Sequence, residues 1–203
     1  MDEKIKTTLE NLKKHGFNAM YVEDRQKARD AILTMAEGCK TVGIAGTSTV
    51  RDTGVVDALR ERGLTVWDHW TGDAGESLRS RKLQPTADLF LTGSNAVTMT
   101  GELVNREGVG NRINAMTFGP GKVVVVAGVN KIVPDVTAAM ERIKTVAAPI
   151  RARQLGVNTP CVKTGICEDC NSAQRICRVT IVHERRPVLT DMTIIIVGEE
   201  MGN

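Results

Sequence analysis

Short apolar runs alternate with amphipathic stretches along most of this chain, and that alternation restricts the folds open to it. The runs at residues 41–45, 88–92 and 122–127 are aliphatic and almost free of charge, as strands buried on both faces of a parallel sheet are. Stretches at residues 3–15 and 24–37 place apolar residues at helical spacing. Strands alternating with helices are typical of βαβ units. The sequence therefore predicts an α/β fold with a mostly parallel sheet and flanking helices.

The remaining chain extends this pattern and then departs from it. Further elements are predicted as helices at about residues 50–62 and 136–147, a hairpin at residues 96–105, and strands at residues 179–182 and 193–197. After Pro149 the periodicity is weak until Arg178, and this stretch holds all the cysteines but one. We therefore predict a single domain over residues 1–203, with a cysteine-bearing loop extension at residues 160–178.

Composition excludes several classes of function. Aromatic residues make up only 3% of the 203 residues, which argues against a nucleic-acid site built from stacked bases and rings. The formal net charge of +3 is small, and no apolar run approaches the ~18 residues of a membrane span. The first fifteen residues alternate in charge and lack the apolar core of a signal peptide. We expect a cytoplasmic protein with no membrane span and no nucleic-acid partner.

Four cysteines lie close together near the end of the chain. They are Cys161, Cys167, Cys170 and Cys177, at the spacing C-x5-C-x2-C-x6-C. The Cys167–Cys170 pair can present two sulfurs from one turn, and the flanking loops are long enough to bring in the other two. Four thiolates are the ligand set of a tetrahedral zinc ion or of a [4Fe–4S] cluster. In a reducing compartment, clustered cysteines are more often ligands than disulfide partners.

The spacing also bears on which metal such a site would hold. Only one C-x2-C unit is present, whereas zinc ribbons use two, so the spacing favours a [4Fe–4S] cluster, with zinc as the alternative. Unligated thiols or two disulfides remain a further interpretation of the same four residues. The fifth cysteine, Cys39, stands alone after a predicted helix and is interpreted as a small apolar core residue.

Polar turns that begin with glycine follow several of the predicted strands. The candidate ligand-binding residues in these turns are Thr47, Ser48 and Thr49, then Gly93, Ser94 and Asn95, then Asn130 and Lys131, with Asn111 and Arg112 from a separate Gly-Asn-Arg unit. Open parallel sheets bind ligands outside the carboxyl ends of their strands. Hydroxyl, amide, ammonium and guanidinium groups there suit a small or nucleotide-like anion. The alternative is helix capping and turn geometry alone. No G-x-G-x-x-G or P-loop motif occurs.

At these residues the chain resembles the LUD-domain (lactate utilisation) family. The matching segments are LFLTGSNAVTMTGELVN at residues 89–105, Gly110-Asn111-Arg112, Phe118-Gly119-Pro120, VVVAGVNKIV at residues 124–133, Ala147-Ala148-Pro149, and PC-x5-C-x2-C-x4-RIC. The resemblance covers essentially the whole chain. It implies a fold similar to the ribose-phosphate isomerase and CoA-transferase group, and a link to oxidation of L-lactate to pyruvate alongside iron–sulfur partner subunits.

Three hypotheses about function follow. The first is an iron–sulfur-linked redox subunit or accessory protein of lactate (2-hydroxy acid) oxidation, in which the cysteine loop relays electrons to a redox partner. The second is a regulatory module that binds a small anionic metabolite and whose cysteine loop holds a structural zinc ion. The third is a non-redox isomerase or CoA-transferase-like enzyme, with Glu102 as its candidate catalytic carboxylate. A homo-oligomer is compatible with all three.

Overall fold

The computed structural model describes residues 2–203 and is built on a six-stranded, entirely parallel sheet. The ten strands of the protein are β1 (Asn18–Val22), β2 (Thr41–Ile44), β3 (Thr65–Asp68), β4 (Leu89–Gly93), β5 (Ala96–Thr98), β6 (Leu103–Glu107), β7 (Lys122–Gly128), β8 (Ile132–Val133), β9 (Val179–His183) and β10 (Met192–Val197). The main sheet has the order β1-β10-β7-β4-β2-β3. The predicted α/β class with a parallel sheet is confirmed.

A second, smaller sheet has the order β8-β5-β6-β9. Strands β5 and β6 form the predicted hairpin, with Val97 opposite Leu103. Strand β9 adds antiparallel to β6, whereas β8 adds parallel to β5. Strand β5 of this mixed sheet begins two residues after the end of β4, so the chain passes directly from the main sheet into the hairpin.

Helices surround the main sheet and also connect it to the smaller one. They are α1 (Glu3–Lys14), α2 (Arg25–Met35), α3 (Ser48–Arg51), α4 (Val55–Glu61), α5 (Ala74–Leu83), α6 (Asn111–Thr117), α7 (Val136–Arg142), α8 (Ala148–Gln154) and α9 (Pro160–Thr164). A π-helical segment at Ile143–Ala147 joins α7 to α8. In the part of the chain that the structure describes, no helix is long and apolar enough to cross a membrane.

The core is aliphatic and lies on both faces of the main sheet. Along β7, Val124 and Val126 pack into one cluster with α2 and α4, while Val123 and Val125 pack into another with α1 and α6. This alternation is the two-residue period of a strand. A third cluster lies between the small sheet and the α7–α8 segment. Burial on both faces explains why the central strands are continuous apolar runs.

One helical prediction needs correction, and helices α5 and α8 lie where the sequence analysis predicts none. The helix expected at residues 50–62 is two helices, because Gly54 between them adopts a left-handed conformation with φ of 72°. Helix α5 lies in a segment without apolar periodicity and buries none of its residues. Its sequence signal is the capping box formed by Asp73 and Glu76. Helix α8 continues past Pro149, which lies in its first turn, where a missing N–H is tolerated.

Candidate ligand-binding cleft and cysteine site

The carboxyl ends of β2, β4 and β7 meet at one edge of the main sheet because these strands are direct neighbours. The polar turns that follow them line a cleft of about 330 Å³. Ligand sites of open parallel sheets lie at this edge. The volume is within the ~300–1,000 Å³ of small-molecule pockets. The cleft is therefore the leading candidate for a ligand site.

A buried lysine forms part of the cleft floor. Lys131 is 5% exposed, and its Nζ donates to the hydroxyl of Thr49 at 2.9 Å. A Cβ built on Gly202 would lie 3.1 Å from both Lys131 Nζ and Ser48 Oγ, so these two groups face the same small space. The floor thus combines one ammonium group with hydroxyls from the turn after β2.

Two glycines let the walls approach each other closely. A Cβ on Gly46 would lie 2.8 Å from Trp70 Nε1 and 3.0 Å from His69 Nε2. A Cβ on Gly93 would lie 2.7 Å from Thr47 Oγ1. Contacts under 3.0 Å do not occur for real Cβ atoms without a shift of the neighbour. The glycines that begin these turns therefore serve close packing.

His69 presents a neutral ring to the cleft. Gln84 Nε2 contacts His69 Nδ1 at 2.9 Å and donates to the Ile44 carbonyl at 2.6 Å, while Gln84 Oε1 accepts from Asn111 Nδ2 at 3.0 Å. Gln84 Nε2 also contacts the Trp67 carbonyl at 3.2 Å, so its two hydrogens have three acceptors within reach, and either nitrogen of the His69 ring can carry the proton. Burial lowers the pKa of His69 to about 4. At neutral pH the ring is therefore uncharged and has one N–H to donate.

The orientation of Trp70 is fixed by arginine and aspartate side chains. The Arg51 guanidinium donates to both oxygens of Asp68, at 2.6 and 3.0 Å, and Trp70 N donates to the same carboxylate at 3.0 Å. Burial would raise the pKa of Asp68, but these hydrogen bonds outweigh it, and the pKa is lowered. The guanidiniums of Arg51 and Arg151 lie 4.3 and 4.7 Å from the Trp70 ring centroid. Cation–π contact thus holds Arg151 at the cleft.

Arg112 uses all of its donors within the protein. A guanidinium has five N–H donors, and three of the acceptors are the side-chain oxygens of Glu107, Asn105 and Asn95, at 3.1, 3.0 and 3.1 Å. The other two acceptors are the carbonyl oxygens of Gly93 at 3.4 Å and Arg106 at 3.2 Å. Arg112 therefore organises the cleft wall and has no donor left for a ligand.

The four cysteines of the loop line a second, much smaller cavity of about 20 Å³. None of them is in a disulfide, and Cys161 is buried with its sulfur 3.2 Å from the hydroxyl of Thr159. Burial raises the pKa of the Cys177 thiol, and the neighbouring Cys167 adds to this. Cys177 also lines the large cleft, so it lies in the wall between the two cavities.

Arg175 ties the segments of this cysteine loop together. Its Nη1 donates to the Cys170 carbonyl at 2.6 Å, and its Nε donates to the Cys177 carbonyl at 2.7 Å. Its Nη2 pairs with Asp169 at 2.6 Å. These contacts leave the sulfurs free while fixing the backbone that carries them. The loop is thus ordered by a guanidinium and carbonyl network.

The donor set agrees with a metal centre, whereas the side-chain positions do not assemble one. Four thiols at one cavity match the ligands of zinc or of a [4Fe–4S] cluster. Nevertheless, within residues 2–203 no three cysteine, histidine or carboxylate side chains are placed so that they could hold a metal ion. Metal binding would require the four sulfur atoms to move closer to one another.

Comparison with known proteins gives the family. The LUD-domain family model matches residues 5–197. The chain belongs to the LUD-domain family. This family is associated with lactate utilisation. A crystal structure of a DUF162 family protein from Deinococcus radiodurans matches 97% of each chain at 17% identity with a TM-score of 0.55, a likeness that shows the fold alone. No curated protein matches the chain.

Nine of the ten candidate ligand-binding residues line the cleft of this LUD domain. The tenth, Asn130, does not: its Oδ1 accepts from Met201 N at 3.2 Å, and its carbonyl accepts from Arg142 Nε at 3.2 Å. Glu102 is also not among the cleft residues, because its carboxylate accepts from the hydroxyls of Thr98 and Thr100 in the hairpin turn. Ligand binding stays a prediction for eight of these nine residues, since the ninth, Arg112, uses all five of its donors within the protein.

Sequence reasoning missed several cleft residues. They are His69, Trp70, Arg81, Arg106, Glu107 and Arg151. Arg106 and Glu107 lie in β6, Arg81 and Arg151 lie in helices, and His69 and Trp70 follow β3, so no glycine-led turn marks them. His15, His69 and His183 are far apart in the sequence, so their spacing indicates no shared site. The only available signal was the position of His69 and Trp70 directly after the strand that ends at Asp68.

Lys131 is the cleft cation with the strongest electrostatic constraint. Burial lowers its pKa to about 7, and the nearby charges of Arg142 and Arg112 contribute in the same direction. Arg142 donates from Nη1 to the Asn95 carbonyl at 2.7 Å, Arg112 is paired with Glu107, and the negative charge of Asp52 offsets the lowering of the Lys131 pKa only in part. The ammonium form of Lys131 is therefore costly without a further negative charge nearby.

We expect Arg112→Lys to destabilise the protein by about 2 kcal/mol, because lysine cannot reach the same five acceptors and leaves buried polar groups unpaired. Urea unfolding measures the change. Arg106→Lys is the matched control, since Arg106 makes only one side-chain hydrogen bond, from Nε to the Thr180 hydroxyl at 2.8 Å. Equal, small effects in the two variants would contradict the role of Arg112.

We expect Lys131→Met to raise the free energy of unfolding by about 1 kcal/mol at neutral pH, because it removes a buried amine that lacks a carboxylate partner. The folded pKa of Lys131 lies below the unfolded value, so the unfolded chain binds more protons between about pH 7 and about pH 10. The stability of the wild type should therefore rise with pH in that window relative to the variant. An advantage of Lys131→Met that does not shrink between about pH 6.5 and about pH 9.5 would be contrary to this account.

Proposed function

We propose that this LUD domain is the anion-binding, iron–sulfur-linked component of a system that oxidises lactate or a similar 2-hydroxy acid. In this proposal an anionic metabolite binds in the cleft after β2, β4 and β7. The four cysteines would hold a [4Fe–4S] cluster, whose contribution would be to accept and pass on single electrons. Oxidation of a 2-hydroxy acid to a 2-oxo acid releases two electrons and two protons, so a partner redox subunit must receive two electrons in sequence.

The observation that carries this proposal is the shared wall between the two cavities. Ile176 and Cys177 line both the cleft and the cysteine cavity. A metabolite in the cleft would therefore lie next to the segment that carries the thiols. A metal site with a purely structural role does not need to lie next to the ligand cleft. The association of the family with lactate utilisation supports the same chemistry.

The cleft residues of the chain would bind the anion and exchange protons. The Lys131 amine titrates near pH 7, the range in which a group both accepts and donates protons readily. His69 is neutral, and its ring lies beside the turn after β2 with one N–H and one acceptor nitrogen. Glu107 Oε2 accepts a hydrogen bond from Arg112 Nε at 3.1 Å. Among the described residues of the cleft, Glu107 has the one carboxylate side chain, and it is already paired.

A second candidate, a ligand-binding module with a structural zinc ion, is favoured by the size of the cysteine cavity. About 20 Å³ is close to the space that one water molecule needs. A single ion with Zn–S distances of about 2.3 Å requires little more room. An eight-atom cluster requires the cysteine loop to open. The isomerase or CoA-transferase hypothesis has no comparable support, since its candidate Glu102 is outside the cleft.

Metal analysis and a visible spectrum of protein purified without oxygen test the proposal. We expect about four iron atoms per chain and a broad band near ~400 nm that dithionite bleaches. One zinc ion per chain without colour would remove the redox role and leave the binding module. The absence of any bound metal after reconstitution with iron and sulfide, and separately with zinc, would overturn both metal proposals.

Cysteine substitutions test whether the loop itself is the metal site. We expect Cys167→Ser and Cys170→Ser to lose the metal and to make the loop more susceptible to proteolysis, because metal binding and local folding are coupled. Cys39→Ser is the matched control, since Cys39 packs beside the core at the other end of the sheet. Retention of wild-type metal content by Cys167→Ser and Cys170→Ser would exclude the four-cysteine centre.

A further inference from the structure

The cleft contains more cationic groups than a single carboxylate ligand can neutralise. Four of its cationic side chains, Arg81, Arg106, Lys131 and Arg151, form no ion pair within residues 2–203. Among the cleft residues that the structure describes, Glu107 is the only one with an acidic side chain, and it is paired with Arg112. Cations gathered in a partly enclosed space repel one another unless counter-charges enter it.

The four cations approach the cleft from different elements. Lys131 lies on the floor beside Ser48 and Thr49. Arg81 projects from α5, with its Nη1 bonded to the Ser77 hydroxyl and its Nε buried without a partner. The two remaining cations are Arg106 at the end of β6 and Arg151 in α8. The charge is therefore distributed around the cleft.

The size of the cleft leads to the same conclusion as its charge. Lactate has six non-hydrogen atoms, whereas about 330 Å³ is at the lower end of the ~300–1,000 Å³ that drug-sized ligands occupy. A lone 2-hydroxy acid would leave most of the cleft to water and most of the cations without a counter-charge.

We infer that the cleft binds a polyanion with at least two adjacent anionic groups of the phosphate type, such as a diphosphate. This inference rests on the proposed anion-binding role of the cleft and specifies its ligand class. One anionic group lies at Lys131 and the hydroxyls of the turn after β2. The other lies toward the guanidiniums of Arg81, Arg106 and Arg151. A 2-hydroxy acid would bind in this cleft only as part of a larger phosphorylated ligand or beside one.

Calorimetric titration of the purified full chain with pyrophosphate, inorganic phosphate and L-lactate tests the ligand class. We expect pyrophosphate to bind at least ~10-fold more tightly than lactate, because each additional charge-assisted hydrogen bond adds to affinity. We also expect Arg81→Gln to weaken pyrophosphate binding ~10-fold or more. Arg79→Gln is the matched control, since Arg79 lies in the same helix, is exposed and is not a cleft residue.

The possible outcomes separate this inference from the proposed function. Lactate binding as tight as pyrophosphate binding would overturn the polyanion inference while leaving an anion-binding cleft in place. Pyrophosphate binding weakened equally by Arg79→Gln and Arg81→Gln would show surface attraction only and would also overturn it. If none of the three anions bound, the inference and the ligand half of the proposed function would both fail. The metal analysis would then decide the redox half separately.

Discussion

The Arg112 guanidinium holds the two sheets together at the point where the cleft forms. It reaches the carbonyl of Gly93 at the end of β4 in the main sheet, and the side chains of Asn105 and Glu107 on β6 in the small sheet. The same group positions Asn95 between them. All five donors of the guanidinium are used, and Asn105 Nδ2 is the buried atom of this corner that finds no partner among the described residues. The cleft wall, and through it the position of the cysteine loop, depends on this corner.

The division of roles between cations follows from this arrangement. Arg112 and Arg142 are committed to protein oxygens and maintain the architecture. Lys131, Arg81, Arg106 and Arg151 line the cleft and form no ion pair with any residue that the structure describes. Residues of one chemical type therefore divide into those that build the site and those available to a ligand. The hydrogen bonds that each side chain makes within the protein distinguish the two groups, whereas residue type does not.

Much of the fold could be predicted because its signals are local. The run at residues 122–127 has the composition of a doubly buried strand, and glycine-led turns mark the ends of β2, β4 and β7. Helix α5 could not be predicted from periodicity, since it buries no side chain, and the break at Gly54 depends on a single backbone conformation. The wall formed by His69 and Trp70 could not be predicted, because strand order alone brings it to the cleft. The sequence also could not distinguish Arg112, whose donors are all used, from Arg151, which remains available.

The central claim is that a ligand in the cleft lies against the segment that carries the cysteines. The most direct test measures how fast iodoacetamide alkylates Cys177 in metal-free protein, with and without a saturating anion. Mass spectrometry quantifies the alkylated cysteine. Cys39, which packs beside the core away from both cavities, is the internal control. The account predicts that the anion slows alkylation of Cys177 and leaves Cys39 unchanged. An unchanged rate at Cys177 under saturating anion would contradict the shared wall as a functional feature.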